Sequence, residues 1–272
     1  MGSIPIALID LGGACMDRLF VMDSAYLDDK YDIDSKMIHN LLKTYAARNL
    51  DVYHVADDIS DIDKIKSKYT KQIIPIGGLD FMRKALDYLG ASDRALTPIE
   101  VPDCLLKFVG RLYSKYTGKE LLDMPKEFRE NHFIKDIDHL KKFNNLLYLG
   151  NDIANMIEPD TNYSVSSIVK FKSEYRVFVH RGEIKAVQNY LGDVLTFPKR
   201  DVIVDCVEIL SKHMPELKSY TLDIGVRDGL TCVIEVHNFI SCGLYGFYDE
   251  VLLDMLANGV EYELNYGRKE HG

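Results

Sequence analysis

The chain lacks the apolar run of about 18 residues that a membrane-spanning helix needs, and no basic segment followed by an apolar stretch opens it. Its five cysteines form an odd set in which no two stand in a CxxC spacing. That pattern is typical of reduced thiols and argues against a disulfide framework or a zinc knuckle. We therefore expect a cytoplasmic protein with no membrane partner.

Positive charge is also scarce, because 33 lysines and arginines face 42 acids and leave a net charge of −9. A broad electrostatic footprint for duplex nucleic acid is therefore not expected, although this balance leaves room for a local basic cleft. The sequence has no Walker P-loop, no GxGxxG after a strand, no GxSxG elbow and no HExxH helix. Serine-hydrolase and zinc-protease chemistry accordingly has little support.

What the sequence does contain is an alternation of strand and helix patterns over its first hundred residues, which is typical of a small α/β unit. The predicted strands are Ile4–Ile9, Leu50–Val55 and Gln72–Ile76, and the predicted helices are Ser35–Arg48 and Leu79–Leu89. Two prolines in Thr97–Pro102 mark a connection. They predict an N-terminal α/β domain at residues 1–102 and a second domain at residues 103–272.

Strand patterns dominate the second half of the chain, so the second domain is predicted to be α+β. The predicted strands are Phe133–Lys135, Val165–Phe171, Glu174–His180, Glu183–Leu191, Tyr220–Val226 and Thr231–Phe239. The predicted helices are Cys104–Tyr116, Val202–Met214 and Tyr248–Asn258.

The last two strands carry the most informative feature of the sequence, because each places one acid among apolar residues. Asp223 lies in the first of these strands and Glu235 in the second, with His237 just beyond. Acids are depleted in strands and costly to bury unless they are paired or bound to a metal. The two acids suggest a site for a hard cation, and the alternative is a half-exposed hairpin with two solvated acids.

The register of this hairpin decides whether the two acids can act together, since side chains alternate between the faces of a strand. A two-residue turn would pair Asp223 with Ile234 and turn Glu235 to the opposite face. A three-residue loop, Arg227–Gly229, would pair Asp223 with Val233 and keep Glu235 on the same face as a diagonal neighbour. The metal hypothesis therefore predicts the three-residue loop.

Other charged residues could bind a nucleotide. Glu174 and Arg176 stand two apart on one strand and share a face, where they either pair with each other or meet ribose hydroxyls and phosphate oxygens. Lys135 closes a short strand, and its ammonium could act as a point charge on phosphate. Lys107 and Arg111 lie four apart on one face of a predicted helix, which is more typical of surface residues than of ligands.

The order of these motifs resembles the ATP-grasp superfamily, and more closely one of its poorly characterised families from bacteria and their phages. A strand lysine comes first, then a strand-borne acid in Ser173–Val179, then the Asp strand and the Glu strand. The phrases Ile74–Gly77 and Gly243–Gly246 add to the resemblance, which covers roughly residues 70–250 and is strongest over 165–247. It implies an ATP-grasp fold, in which an N-terminal α/β domain precedes two α+β subdomains that clamp ATP.

For the nucleotide, the resemblance implies a set of residues spread over several elements. These residues are Lys107, Lys135, Ile168, Val169, Lys170, Glu174 and Arg176. The backbone of Ile168–Lys170 would form the adenine hinge, and Glu174 would hold the ribose. Lys135 and Arg176 would be the catalytic cations on the phosphates.

For the metal, the resemblance implies that Asp223 and Glu235 bind Mg²⁺. The usual third ligand of the family is an asparagine two residues after the glutamate, and this chain has His237 there. Asn238 comes one residue late, and strand alternation puts His237 rather than Asn238 on the face of Glu235 unless the strand bulges. The third ligand is therefore either His237 or Asn238.

The function that the resemblance implies is that of an ATP- and Mg²⁺-dependent, ADP-forming ligase. Such enzymes activate a carboxylate as an acyl phosphate, which an amine, a thiol or a similar nucleophile then attacks. The expected partners are ATP, a carboxylate and an amine, the substrates being small molecules or peptides. One alternative is a phage-encoded nucleotide-binding interaction protein with degenerate catalysis, which His237 in the asparagine position favours. Another is a purely structural protein that binds no nucleotide.

Overall fold

The structure is a computed structural model that describes residues 17–28, 33–47, 52–91, 96–144, 153–240, 242–249 and 251–266. The predicted strand Ile4–Ile9 lies outside these residues. The described elements form three sheets and eight α-helices. None of the described helices is both long enough and apolar enough to span a bilayer.

The N-terminal sheet is parallel and has the strand order β2-β1-β3. Its strands are β1 (Arg18–Asp23), β2 (Tyr53–Ala56) and β3 (Gln72–Ile76). The helices of this unit are α1 (Ser24–Asp28), α2 (Ile33–Ala46), α3 (Ile59–Lys66) and α4 (Leu79–Tyr88). The α/β expectation is confirmed, but the central strand β1 was not predicted. Its apolar run, Leu19–Met22, is four residues long, too short for periodicity to distinguish a strand from part of a helix.

The second sheet is antiparallel and has the order β4-β6-β5. Its strands are β4 (Tyr113–Thr117), β5 (His132–Asp136) and β6 (Asn162–Ser167), with α5 (Gly118–Asp123) and α6 (Lys126–Asn131) between β4 and β5. The predicted helix Cys104–Tyr116 is wrong. A short 3-10 helix, Asp103–Phe108, ends before Gly110, whose φ is 61° and whose Cβ would lie 2.3 Å from the Cys232 sulfur. The close packing of Gly110 against Cys232, in the strand Leu230–Asn238, therefore ends the helix there.

The third sheet is antiparallel and has the order β10-β9-β7-β8. Its strands are β7 (Ser173–His180), β8 (Glu183–Gly192), β9 (Ser219–Arg227) and β10 (Leu230–Asn238). The helix α7 (Arg200–His213) covers one face, where its apolar stripe packs against Val177, Leu222 and Val236. The opposite face of the same sheet carries the charged residues of the site.

The last helix, α8 (Leu252–Tyr266), returns to the N-terminal unit. It packs against β3, α4 and β9, and its buried residues Leu252, Met255 and Val260 join the apolar cluster that contains Phe20 and Ile74. The core therefore crosses the boundary predicted at residue 102, because the N-terminal sheet buries one face against a helix from the end of the chain.

A polar cluster ties the same elements together. The Asp254 carboxylate on α8 accepts from the guanidinium of Arg18 on β1 and pairs with His180 at 3.2 Å and Arg181 at 2.9 Å. The Nδ1 atom of His180 is hydrogen-bonded to the Ser219 hydroxyl at 2.9 Å. This serine, histidine and aspartate have the order of a hydrolytic triad, but Ser219 is only 1% exposed, so no substrate reaches it.

The contact between α8 and the backbone of Phe239, the residue after β10, predicts an unusual response to alanine. A Cβ at Gly259 would lie 2.1 Å from the Phe239 carbonyl oxygen, although alanine inside a helix usually stabilises by up to about 1 kcal/mol. We expect Gly259→Ala to lower the free energy of unfolding by about 1–3 kcal/mol, the cost of overpacking, in urea titrations. Gly78→Ala, with no atom within 4 Å of its Cβ, is the control. Equal stability of Gly259→Ala and wild type would contradict this contact.

The Asp254 cluster predicts a pH dependence. The hydrogen bond with His180 and the charges of Arg18 and Arg181 outweigh burial and hold the pKa of Asp254 well below its usual range. Such a carboxylate stabilises the fold above its unfolded pKa of about 3.9, and that contribution is lost as pH falls. We expect Asp254→Asn to lower the free energy of unfolding at pH 7, with a deficit that shrinks below about pH 5.

Urea titrations across pH measure this effect. Asp80→Asn removes an exposed aspartate whose side chain is 92% accessible and should leave the pH profile unchanged. If the loss of free energy of unfolding in Asp254→Asn stays constant down to about pH 2–3, the charge of Asp254 does not stabilise the fold.

Candidate active site

The hairpin that carries the two strand acids turns through two residues, not three. Asp228 and Gly229 have φ values of 49° and 75°, as a type I′ turn requires, and Arg227 pairs with Leu230. The predicted three-residue loop is therefore wrong. By itself a two-residue turn would place Glu235 on the opposite face from its partner acid.

A β-bulge in β10 corrects the register. Val233 pairs with Ile224, the register then shifts, and Glu235 pairs directly with Asp223. Val233 and Val236 are three residues apart, yet both lie in the core against α7, as one extra residue between them requires. The two acids consequently face the same side as direct cross-strand neighbours.

Arg111 holds the bulged backbone. Its two terminal nitrogens donate to the carbonyl oxygens of Val233 at 2.8 Å and Ile234 at 3.0 Å. Burial lowers the pKa of Arg111, and its planar fork suits two carbonyls that a bulge brings together. The sequence analysis assigned Arg111 to a helix surface, and the break of that helix at Gly110 is what brings it to β10.

Three potential metal ligands gather on this face. One ligand atom each from Asp223, Glu235 and His237 lies within 4.8 Å of the others, and Nε2 of His237 is 2.7 Å from Oε1 of Glu235. Asn238 lies on the other face, where its amide donates to the Gly259 carbonyl at 2.9 Å and to Glu263 at 2.8 Å. Of the two alternatives for a third ligand, only His237 joins the cluster.

Two cations neutralise the same acids. Lys135 on β5 is 2.5 Å from both Glu235 and Glu100, and Arg176 on β7 forms two 2.8 Å hydrogen bonds with Asp223. Arg176 therefore pairs across the sheet and not with Glu174, its neighbour on the same face. The ion pair between Lys135 and Glu235 connects the second and third sheets.

These pairs shift the pKa values of their members. Burial alone would raise the pKa of Glu235, but His237 and Lys135 outweigh it and hold that pKa well below its usual range. Burial would lower the pKa of Lys135 and of Arg176, and their carboxylate partners raise both instead. All three groups are therefore charged at neutral pH.

Glu100 is a site residue that the sequence analysis missed. It is 5% exposed, has a φ of 58°, and its carbonyl accepts from the Val236 backbone at 2.7 Å. Burial raises its pKa, and the nearby Lys135 charge opposes that shift. The available signal was an acid between Ile99 and Val101 in the proline-marked connection.

A cleft of about 330 Å³ opens between the second and third sheets. Its lining includes Lys135 from β5, Glu174 from β7 and Glu235 from β10. Ile168 and Val169, in the link from β6 to β7, also line it. The predicted strand Val165–Phe171 ends at Ser167, so the predicted adenine hinge is a link between two sheets and not part of a strand.

Three residues of the predicted nucleotide set, Lys107, Lys170 and Arg176, are not among those that line the cleft. Lys107 is exposed, with its ammonium 4.8 Å from the Phe108 ring, and it is not part of the cleft lining. The short 3-10 helix Asp103–Phe108 carries Lys107 in place of the longer predicted helix, and Arg111 lines the cleft instead. Lys170 lies in the β6–β7 link with an exposed side chain.

Aromatic rings cover the Arg176 end of the site. The Tyr190 hydroxyl donates to Glu174 at 2.7 Å, and its ring stacks on Tyr245 with centroids 5.0 Å apart. Both rings lie beside the Arg176 guanidinium, which also donates to the Gly243 carbonyl at 3.0 Å. Burial raises the pKa of Glu174 against the hydrogen bond from Tyr190.

The family model for the ATP-grasp domain, R-2-K clade family 2, matches residues 108–255. The chain belongs to this family. The match spans the second and third sheets and all the cleft residues above except Glu100, which precedes it. No curated protein matches the chain.

Solved structures of other proteins are similar to this chain over most of its length. N5-carboxyaminoimidazole synthetase from Staphylococcus aureus has a TM-score of 0.52 at 11% identity, covering 90% of this chain and 77% of its own. D-alanine–D-alanine ligase from Bacillus anthracis, complexed with ATP, has a TM-score of 0.49 at 13% identity, covering 90% and 97%. The ATP-grasp ligase PsnB, complexed with its minimal precursor, has 0.48 at 13%, covering 89% and 99%. The likeness to the first of these concerns the fold alone, and the family match confirms the ATP-grasp fold.

The role of Arg111 in the bulge is testable. We expect Arg111→Lys to speed amide hydrogen exchange in β10 after Val233 and to weaken binding of a non-hydrolysable ATP analogue about tenfold, since an ammonium cannot reproduce a two-carbonyl fork. Arg227→Lys is the matched control, because Arg227 lies on the same hairpin and its described salt bridge is with the exposed Asp228. Unchanged exchange in Arg111→Lys would rule out this role.

Proposed function

We propose that this member of the ATP-grasp family is an ATP-dependent, ADP-forming ligase that activates a carboxylate as an acyl phosphate for attack by an amine or a similar nucleophile. The observation that carries the proposal is the convergence of two cations, the buried Arg176 and the half-buried Lys135, with three potential metal ligands at one face of the third sheet. Phosphoryl transfer needs positioning and charge neutralisation more than covalent chemistry by the protein, and such a group supplies both.

The cleft between the two sheets would hold the nucleotide. Its volume of about 330 Å³ is within the range of small-molecule sites. The backbone of Ile168 and Val169 offers hydrogen-bonding groups to an adenine edge, and Glu174 offers a carboxylate to ribose hydroxyls. Lys135, at the other end of the lining, would meet the phosphates.

Asp223 and Glu235, with His237, would hold a divalent cation, and the donor set of two carboxylates and one imidazole fits such an ion. A cation held there would supply charge neutralisation for the phosphates. Arg176 and Lys135 pair with these carboxylates in the structure. A cation on the carboxylates would free the side chains of Arg176 and Lys135 to meet the phosphates.

The chemical step would use these released charges. The substrate carboxylate attacks the γ-phosphorus, the bond to the β–γ bridging oxygen breaks, and ADP leaves with that electron pair. Arg176, which donates to the Gly243 carbonyl, would stabilise the charge of the acyl phosphate. The amine then displaces phosphate from the acyl carbon and loses a proton.

Turnover of ATP tests this proposal. We expect ADP release with pooled amino acids or peptides, and a loss of turnover on the order of 10²–10³-fold in Glu235→Gln, typical of removing one electrostatic stabiliser. Glu183→Gln, on an exposed glutamate of the edge strand β8, is the matched control. Wild-type turnover in Glu235→Gln would show that the site is assigned wrongly.

A second candidate is a nucleotide-binding interaction protein with degenerate catalysis. The pairing of both candidate phosphate-binding cations with acids favours it, since Lys135 and Arg176 are engaged within the protein. Calorimetry with ATP and a divalent cation separates the candidates: binding without ADP release on any pooled substrate supports the second. Absence of nucleotide binding supports neither and favours a structural protein.

A further inference from the structure

The third potential ligand of the Asp223–Glu235–His237 cluster is a histidine nitrogen. His237 follows Glu235 by two residues on the same face, and its Nε2 atom lies 2.7 Å from Oε1 of Glu235. Asn238 could have supplied an oxygen, but its amide is held on the other face by Gly259 and Glu263. Past the bulge, β10 therefore offers a carboxylate and an imidazole to a bound cation.

The surroundings of His237 suit the metal-bound form of its ring. A metal-binding histidine usually donates its second ring N–H to an acceptor that fixes the tautomer. Thr221 is the direct cross-strand partner of His237, and such partners share a face of the sheet. The Thr221 hydroxyl is fully buried and has no hydrogen-bond partner among the described residues. With Nε2 on a cation, Nδ1–H can donate to this hydroxyl, which would otherwise remain costly to bury.

The imidazole of His237 affects which cation the site binds more tightly. Mg²⁺ is a hard ion that takes oxygen ligands in near-ideal octahedral geometry and gives up water reluctantly. First-row transition ions accept imidazole nitrogen, and Mn²⁺ among them also suits carboxylate and phosphate oxygens. An Asp–Glu–His set beside a triphosphate thus matches Mn²⁺ better than Mg²⁺.

We propose that Asp223, Glu235 and His237 form a site that prefers a first-row transition ion, probed as Mn²⁺, over Mg²⁺, with His237 as a nitrogen ligand and Thr221 as the residue that positions its ring. The proposal rests on the nucleotide-binding function proposed above and departs from the Mg²⁺ that the family resemblance implies. Arg176 and Lys135 pair with the two carboxylates, so the preference is measured in the nucleotide complex, where phosphates would draw these cations away.

Calorimetry measures the preference directly. Protein saturated with a non-hydrolysable ATP analogue is titrated with Mn²⁺ and with Mg²⁺. We expect Mn²⁺ to bind about tenfold tighter or more, and His237→Asn to lose about 10–100-fold in Mn²⁺ affinity with little change for Mg²⁺. His213→Asn, which changes an exposed histidine on α7, is the matched control and should match wild type.

Pulsed electron paramagnetic resonance of the bound Mn²⁺ identifies the ligand. With ¹⁵N-labelled histidine we expect a directly bound nitrogen in wild type and none in His237→Asn. Thr221→Val keeps the shape and removes the hydroxyl, so it should retain the nitrogen coupling while Mn²⁺ affinity falls about 10–100-fold. This variant also keeps the proposal testable if His237→Asn does not fold.

The outcomes separate this inference from the ligase proposal. Equal or tighter binding of Mg²⁺, or Mn²⁺ without a histidine nitrogen, overturns the metal preference, and ADP release with Mg²⁺ would then leave the ligase intact. Mn²⁺ held through His237 without ADP release on any substrate supports the preference and overturns the ligase. Failure of both ions to bind with the nucleotide analogue overturns both.

Discussion

One extra residue in β10 decides what the third sheet can do. The two-residue turn of the hairpin would send Glu235 into the core face, where α7 covers the sheet, and would leave Asp223 without its partner acid on the opposite face. The bulge after Val233 reverses this, so the acids meet side by side and His237 follows on the same face. Bulges often lie next to active sites because they redirect a side chain without breaking the sheet. Here Arg111, from outside the sheet, binds the bulged carbonyls.

The charges of the site are balanced within the protein. The buried Arg176 and the half-buried Lys135 form close pairs with Asp223 and Glu235, two candidate metal ligands, and Glu100 adds a third acid beside Lys135. Desolvating any one of these groups alone would cost several kcal/mol, so each is tolerated only with its partner. In the proposed nucleotide complex, a cation on Asp223 and Glu235 and phosphates on Lys135 and Arg176 would replace both pairs.

The site also depends on the continuity of the core between the two ends of the chain. The helix α8 completes the N-terminal apolar cluster, and its Asp254 joins β1 to β7 through Arg18 and His180. The Leu244 backbone, in the loop beside Arg176, donates to Asp34 on α2 at 2.7 Å. The third sheet is thus anchored to the N-terminal unit on two sides. The domain boundary predicted at residue 102 follows the order of elements along the chain, whereas the packing crosses it.

Local pattern by itself determined most of the elements: the strands of the third sheet, the helices α2, α4 and α7, and the presence of two acids on neighbouring strands follow from periodicity and composition. The resemblance in motif order pointed to the ATP-grasp fold that the family match then showed. Only the tertiary structure decided the register, because a bulge is stabilised by a distant side chain and leaves no fixed pattern in its own strand. For the same reason it alone brought in Arg111 and Glu100 and excluded Lys107 and Asn238: each side chain is placed by a contact with residues far away in the sequence, which no local spacing encodes.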